Sequence, residues 1–517
     1  MILKNHYLYF IKSFLSAFLL LLNTYSYPEK SSYWPTAKWK NSTPEKQGMD
    51  SELLADGINK LIQKDVNLHS ILIIRHGYIV SETYMQFFTS NTKHDLASAT
   101  KSILATLIGA AIQQGYIEDI NQKVLSFYPE RTIKNNDERK KAITIKNLLT
   151  MQSGYECTWN PYEVTFFEML NSPDWIQFIL DLPMASEPGT KWEYNSGSMQ
   201  ILSDIIRKST GRTALDYARE ILFSPLGISD VAWSTDNKDI NNTGSCCLRM
   251  RPADLAKIGY LYLNDGIWDG KRILPEGWVT ETTSRYAFLE NSLLGTTGYG
   301  YLWWLIKDGF SAEGRGGQHL YVFPEMDLLV VTTGGTQESK AYEFVKDYVL
   351  PAVISDKELP QNEKSYQNLK AVTARAASQK IKPVEPSARS DLEGQISGKR
   401  IILDPNPFLI ESFSLIFEDV KAEFKINFSF DCDTDSPVEY DVGLDGKPRV
   451  SAGRFELPAI ASGRWNSENI FIIDLNEIGN INSFNIEIEF NGNQIHGTMK
   501  ETQTGLGSIN ISGSLTE

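Results

Sequence analysis

Apolar positions along the chain change period several times, and the changes lay out an architecture. Over residues 51–63, Leu53, Leu54, Ile58 and Leu61 recur at helical spacing. Four consecutive aliphatics, Ile71 to Ile74, read as a buried strand. His76-Gly77 supplies turn chemistry and residues 78–84 return, so 69–85 is a predicted hairpin. Residues 98–115 follow as an apolar helix (Ile103, Leu104, Leu107, Ile108, Ile112) closed by Gly115. From about Asp119 to Trp278 helical segments alternate with polar loops, and no paired strands are expected. Strand patterns resume over 298–306 and 318–331, the second divided by Pro324-Glu325-Met326-Asp327. They read as three antiparallel strands, followed by a closing helix over 341–354. Two strands before and three after a helical insertion imply one antiparallel sheet, assembled from both ends of a domain and flanked by helices, an α/β (α+β) fold.

Beyond this the pattern shifts. The stretch 356–389 is charged and polar with Pro360, Pro383 and Pro386, partly helical around 369–377, and reads as a linker. Residues 390–517 alternate apolar and polar positions, as in Phe484, Ile486, Ile488 and Phe490, which run into Asn491-Gly492, a hairpin signal; Asp445-Gly446 marks another turn. This tail is expected to be a separate antiparallel β domain, a lipocalin-like barrel or a sandwich, with few contacts to the rest. It could hold a small apolar ligand or dock onto a surface, and its His496 reads as a surface strand residue.

Composition narrows the class. The 517 residues carry a formal charge of −14, which disfavours nucleic acid and anionic membranes as partners. Lys4, His6 and Lys12 form a positive region ahead of an apolar stretch over 14–22, and Thr24 and Ser26 offer a cleavage site, so 1–26 reads as a signal peptide. The expectation is a bacterial protein exported to the periplasm or beyond, with no membrane span in the mature chain. The cysteines Cys157, Cys246, Cys247 and Cys432 lack zinc spacing and read as structural, with a disulfide from Cys157 to one of the adjacent pair permitted.

The candidate chemistry begins at Ser98. Serine needs an adjacent base to act as a nucleophile. Ser98-Ala99-Thr100-Lys101 opens the apolar helix, and i, i+3 spacing lays the lysine beside the hydroxyl. The helix start brings backbone N–H groups to where an oxyanion would form, and the apolar body buries Lys101 and lowers its pKa. Ser98 alone would fit a plain N-cap. A second S-x-x-K, Ser90 to Lys93, lies in a polar turn where nothing holds the pair together. No G-x-S-x-G elbow occurs, and the histidines do not pair at metal spacing.

The segments LASATKSILATLIG, ITIKNLLTMQSGY and LRMRPADLAKIGYLYLNDGIWDGKRILPEGWV, continued by GYGYLWWL and GRGGQHLYVFPEMDLLVV, together resemble the serine β-lactamase-related family. That family includes class C β-lactamases, DD-peptidases, esterases and 6-aminohexanoate-dimer hydrolases. The resemblance implies the β-lactamase/transpeptidase-like fold over 27–355, with Ser98 as nucleophile and Lys101 as its lysine. It implies a second motif at Tyr194-Asn195-Ser196, where Tyr194, partly ionised by Lys101, relays protons and Ser196 bonds Lys101 or the substrate. The third motif, K-T-G or H-x-G in the family, falls on Ala312-Glu313-Gly314, followed by Arg315-Gly316-Gly317, so the usual cation is missing. Gly314 and Gly317 leave room for substrate, the N–H of Arg315 is the expected second oxyanion donor, and its side chain is a candidate replacement for the missing charge. The implied function is an exported serine hydrolase that cleaves a small ester, amide or peptide through an acyl-serine, without metal or cofactor. The alternatives are a DD-peptidase or β-lactamase, and a sensor that acylates without turnover. The acyl and leaving groups and the oligomeric state stay open.

Overall fold

The computed structural model describes residues 33–516 apart from 159–162, 292–293, 379–382, 429–436, 480 and 504–506. The expected signal peptide and Cys432 lie outside the described residues. The main sheet has nine strands: β1 Lys40–Asn41, β2 Leu68–Arg75, β3 Tyr78–Tyr84, β4 Ala287–Asn291, β5 Thr296–Tyr299, β6 Trp304–Ile306, β7 Gly309–Gly314, β8 Gln318–Phe323 and β9 Leu328–Gly334. Their order is β1-β3-β2-β9-β8-β7-β6-β5-β4, antiparallel throughout except that β1 runs parallel to β3. The two ends of the domain meet where β2 pairs with β9, Ile71 opposite Thr332 and Ile73 opposite Val330.

The unbroken aliphatic run in β2 is explained by burial on both faces. Every residue of β2 is buried. Leu72 and Ile74 point into the larger core, shared with helix α2 (Thr100–Gln113), α3 (Ser198–Thr210) and α4 (Pro252–Leu263). Ile71 and Ile73 point into the other, against α1 (Ser51–Gln63), α5 (Glu338–Phe344) and α6 (Glu363–Ala377). Helix α6 lies within the stretch that reads as a linker, and its Leu369, Val372 and Ala376 are part of that second core. Helix α2 is buried from Thr100 to Ala111, so it is clamped on all sides, as expected of a helix apolar all round.

Two local expectations are revised. The 298–306 segment is not one strand: it folds at Gly300–Trp303, with Leu302 at φ 58°, into β5 and β6. Strand β7, Gly-Phe-Ser-Ala-Glu-Gly, carries two glycines and no β-branched residue, so period and propensity do not announce it. The insertion also holds short pairings, Leu248–Met250 with His94–Asp95 and with Ala232–Trp233, although no paired strands were expected there.

The C-terminal region is a closed barrel. Its strands are β10 Arg400–Leu403, β11 Ile410–Phe417, β12 Lys421–Phe428, β13 Val438–Gly443, β14 Arg449–Ala452, β15 Pro458–Trp465, β16 Ile470–Asn476, β17 Ser483–Asn491, β18 Gln494–Glu501 and β19 Ser508–Leu515. The order is β13-β12-β11-β10-β19-β18-β17-β16-β15-β14, and β13 also pairs with β15, which closes nine strands and leaves β14 as a flap. Closure removes the exposed edges of an open sheet. Gly492 at φ 63° makes the hairpin turn signalled by Asn491-Gly492. Phe413, Phe424, Ile486, Ile488 and Met499 meet in the interior, which is packed with side chains. Residues 34–517 form one compact unit.

Candidate active site

The turn that carries Ser98 is built by the segment that precedes α2. Asp95 pairs with Arg249 across the short sheet, and its Oδ1 accepts the Ala97 N–H at 2.8 Å. Ala97 is thereby held at φ 45°, a left-handed conformation that costs a non-glycine residue about 1 kcal/mol or more. Ser98 follows in the turn Ala97–Ala99, half-buried, and α2 begins two residues on. Ser102 anchors the helix by donating to Leu302 O at 2.6 Å.

Lys101, one turn into the structure, returns to the serine. Its Nζ donates to Ser98 Oγ at 2.8 Å and to Ser245 O at 2.9 Å. Burial lowers its pKa to about 8, against the opposing pull of Glu163 and the sulfurs of Cys246 and Cys247. Tyr194 hydrogen-bonds the Ser98 side chain, and its ring centre lies 4.9 Å from Lys101 Nζ. Burial pushes the phenol well up, with Glu163 adding to the shift. That direction favours the protonated phenol over the expected partial ionisation. Its ring stacks on Trp304, centroids 6.0 Å apart, and Trp192 and Tyr299 complete an aromatic wall. The competing pair is not assembled: Ser90 is exposed and Lys93 is bonded to Asp230 at 2.7 Å.

Ser196 is buried beside this cluster but donates to Glu163 Oε1 at 2.8 Å rather than to Lys101. Burial raises the Glu163 pKa, and Lys101 opposes the shift. No motif marks Glu163, which precedes a short helix in a stretch without distinctive spacing. On the other side, the end of β7 abuts the turn that carries Ser98. A Cβ on Gly314 would stand 2.2 Å from Leu96 O and 3.1 Å from Ala99 N, so only glycine fits. Arg315, Gly316 and Gly317 make the turn to β8. Gln318 braces it from inside, donating from Nε2 to Arg315 O at 3.2 Å and accepting from Gly334 N at 3.2 Å.

Ala312 is fully buried, and the Arg315 side chain does not take the place of the missing cation. Arg315 Nη1 donates to Asn482 Oδ1 of the barrel at 2.8 Å, with Glu501, Asp95 and Glu338 as its electrostatic neighbours. The disulfide from Cys157 to Cys246 or Cys247 that the sequence permits does not form. The sulfurs of Cys246 and Cys247 lie 2.7 Å apart, beside the carbonyl that holds Lys101. Among the described residues no cluster of metal-ligating side chains occurs, and no helix is long and apolar enough to cross a membrane.

Comparison with known proteins bears on the fold and the family. The chain is 23% identical over 337 residues to 6-aminohexanoate-dimer hydrolase of Paenarthrobacter ureafaciens, covering 60% of this chain and 84% of that one. It is 25% identical over 189 residues to lovastatin esterase of Penicillium rubens, covering 33% of this chain and 46% of the esterase. A solved structure from Bacillus anthracis, provisionally named a 6-aminohexanoate-dimer hydrolase, superposes with a TM-score of 0.50 at 20% identity. It covers 65% of this chain and 90% of its own. The sequence profile of the β-lactamase family matches residues 58–350, more than half of the chain. With a β-lactamase/transpeptidase-like sheet, a serine at the start of its central helix and a profile match across that whole region, the chain belongs to the β-lactamase family.

Proposed function

We propose that this member of a hydrolase family is an exported serine hydrolase that cleaves a neutral ester or amide through an acyl-serine on Ser98. The observation that carries the reading is the short Lys101 Nζ–Ser98 Oγ hydrogen bond, 2.8 Å, on a serine that Tyr194 also touches. Lys101, with a pKa near 8, has a neutral fraction at physiological pH that accepts the Ser98 proton as Oγ attacks the carbonyl carbon. The N–H groups of Ser98 and Arg315 receive the oxyanion, supported by the close approach of Gly314 to the nucleophile turn. The protonated phenol of Tyr194 donates to the leaving alkoxide or amine and is reprotonated through Lys101. Water then enters, gives a proton back along the same groups and releases the acid. Gly317 leaves the turn open beside the oxyanion, and Ser196 fixes Glu163 near Lys101.

Substrate charge follows from the third motif. With Ala312 where the resemblance places a cation, and the Arg315 guanidinium engaged by Asn482 among carboxylates, the third motif offers no cation to a substrate carboxylate. That favours neutral acyl donors over β-lactams. The test is labelling by a fluorophosphonate followed by peptide mass spectrometry, together with turnover of a short-chain ester. The adduct is expected on the peptide that contains Ser98, and Ser98→Ala is expected to lose both label and turnover. Label on Ser90, or full turnover by Ser98→Ala, would refute the assignment.

A further inference from the structure

The barrel is not a bystander. Its 481–482 segment and its Phe455 meet the active-site rim at three points. Arg315 Nη1 donates to Asn482 Oδ1 at 2.8 Å across 167 residues of sequence. Ile481 lies against the turn that follows β7, so close that a Cβ on Gly316 would stand 2.4 Å from Ile481 Cγ2, and a Cβ on Gly335 would stand 3.0 Å from Ile481 O. Phe455 lies under Arg249, with its ring centre 4.1 Å from the guanidinium carbon, and Arg249 is the register partner of Asp95, which fixes Ala97 beside the nucleophile. Phe455 itself is held at φ 59°, a strained conformation that persists only where surroundings enforce it.

These contacts converge on the weakest part of the site. Gly316 and Gly317 follow one another at φ 87° and 92°, and glycine backbones have the most freedom to lose. From inside, Gln318 holds Arg315 O, and Thr336 N donates to Gly316 O at 3.1 Å. The Arg315 side chain, by contrast, is hydrogen-bonded to the barrel. A misplacement of about 1 Å in a reacting group costs on the order of a hundred-fold in rate, so a brace on this residue has kinetic weight.

We propose that the barrel is a working part of the active site, with Asn482 as a positioning residue that holds Arg315 and its turn in register with Ser98. This rests on the reading of Ser98 as nucleophile and Arg315 N–H as oxyanion donor, and it runs against the expectation of a separate domain with few contacts to the rest.

The test uses the full chain and a neutral ester. Asn482→Ala removes the acceptor and is expected to lower kcat about ten- to a hundred-fold, as for loss of a hydrogen bond to a charged group, with KM changed less than about three-fold. Asn482→Asp keeps the acceptor and is expected to recover most of kcat, which a merely structural role would not predict. Should Asn482→Ala yield no folded protein, Asn482→Ser, too short to reach Arg315, carries the same expectation. Ser98→Ala in the same assay separates the two ideas. If Ser98→Ala is inactive while folded Asn482→Ala or Asn482→Ser keeps wild-type kcat, or Asn482→Asp fails to recover it, the positioning role is overturned and the acyl-serine reading stands. If Ser98→Ala remains active, the acyl-serine reading fails, and this proposal with it.

Discussion

Replacing Lys101 by methionine should destroy activity and reverse the sign of a stability difference with pH. Lys101 is buried, and its pKa falls from the ordinary 10.5 to about 8. At about 1.36 kcal/mol per pKa unit, the fold disfavours the ammonium by about 3 kcal/mol below pH 8. Methionine fills similar space without charge but abandons the bonds to Ser98 Oγ and Ser245 O, each worth about 1 kcal/mol. Near pH 7 the variant should therefore be about 1 kcal/mol more stable than wild type. Because the folded pKa is the lower one, the unfolded chain binds more protons between pH 8 and 10.5, and wild-type stability rises with pH through that window. Above about pH 10.5 the penalty has gone, only the lost bonds remain, and the variant should be less stable by about 2 kcal/mol. Urea unfolding of both proteins at pH 7 and above pH 10.5 reads the difference directly, and ester turnover should fall at least about a hundred-fold with loss of the general base. A stability difference that does not change with pH, or a variant that keeps its activity, would show that Lys101 is neither depressed in pKa nor the base.

With the neutral amine of Lys101 as the proposed base, kcat/KM should rise with pH and level off above about pH 8. Glu163→Gln removes the charge that raises the Lys101 pKa, so that limb should move to lower pH; a stopped-flow pH–rate profile checks both, and an upward move would contradict the assignment. A chromogenic cephalosporin is expected to be cleaved on the order of ten- to a hundred-fold less efficiently than the best short-chain ester, the effect of one missing charged hydrogen bond. Comparable kcat/KM values for the two would remove the argument from Ala312.

The chemistry legible in the sequence was local. Ser98 and Lys101 share one helical turn, and the apolar residues behind them announce a buried helix, so spacing makes them candidates, but only the resemblance favours them over a plain N-cap. Tyr194 was placed through the resemblance, and the aromatic residues that wall it in, Trp304 and Tyr299, lay in a segment that reads as one strand until Leu302 folds it back. Glu163 was missed because its meaning comes only from facing Ser196 across a loop. Asn482 and Phe455 were out of reach for a deeper reason. Alternation and turn chemistry describe how a barrel closes on itself, and say nothing about which loops it turns toward a neighbouring cleft.

The pairing of β2 with β9 also sets a timetable. The ribosome delivers β2 and β3 early, as a hairpin whose inner strand is apolar on both faces, but its other partner emerges roughly 250 residues later, on the order of tens of seconds at ordinary synthesis rates. During that interval the bare edge of β2 invites pairing with any strand at hand. Helix α2 can form, but the sheet that presses it into place cannot. Folding of the hydrolase core is therefore an event that follows synthesis of residue 334, however early Ser98 leaves the exit tunnel.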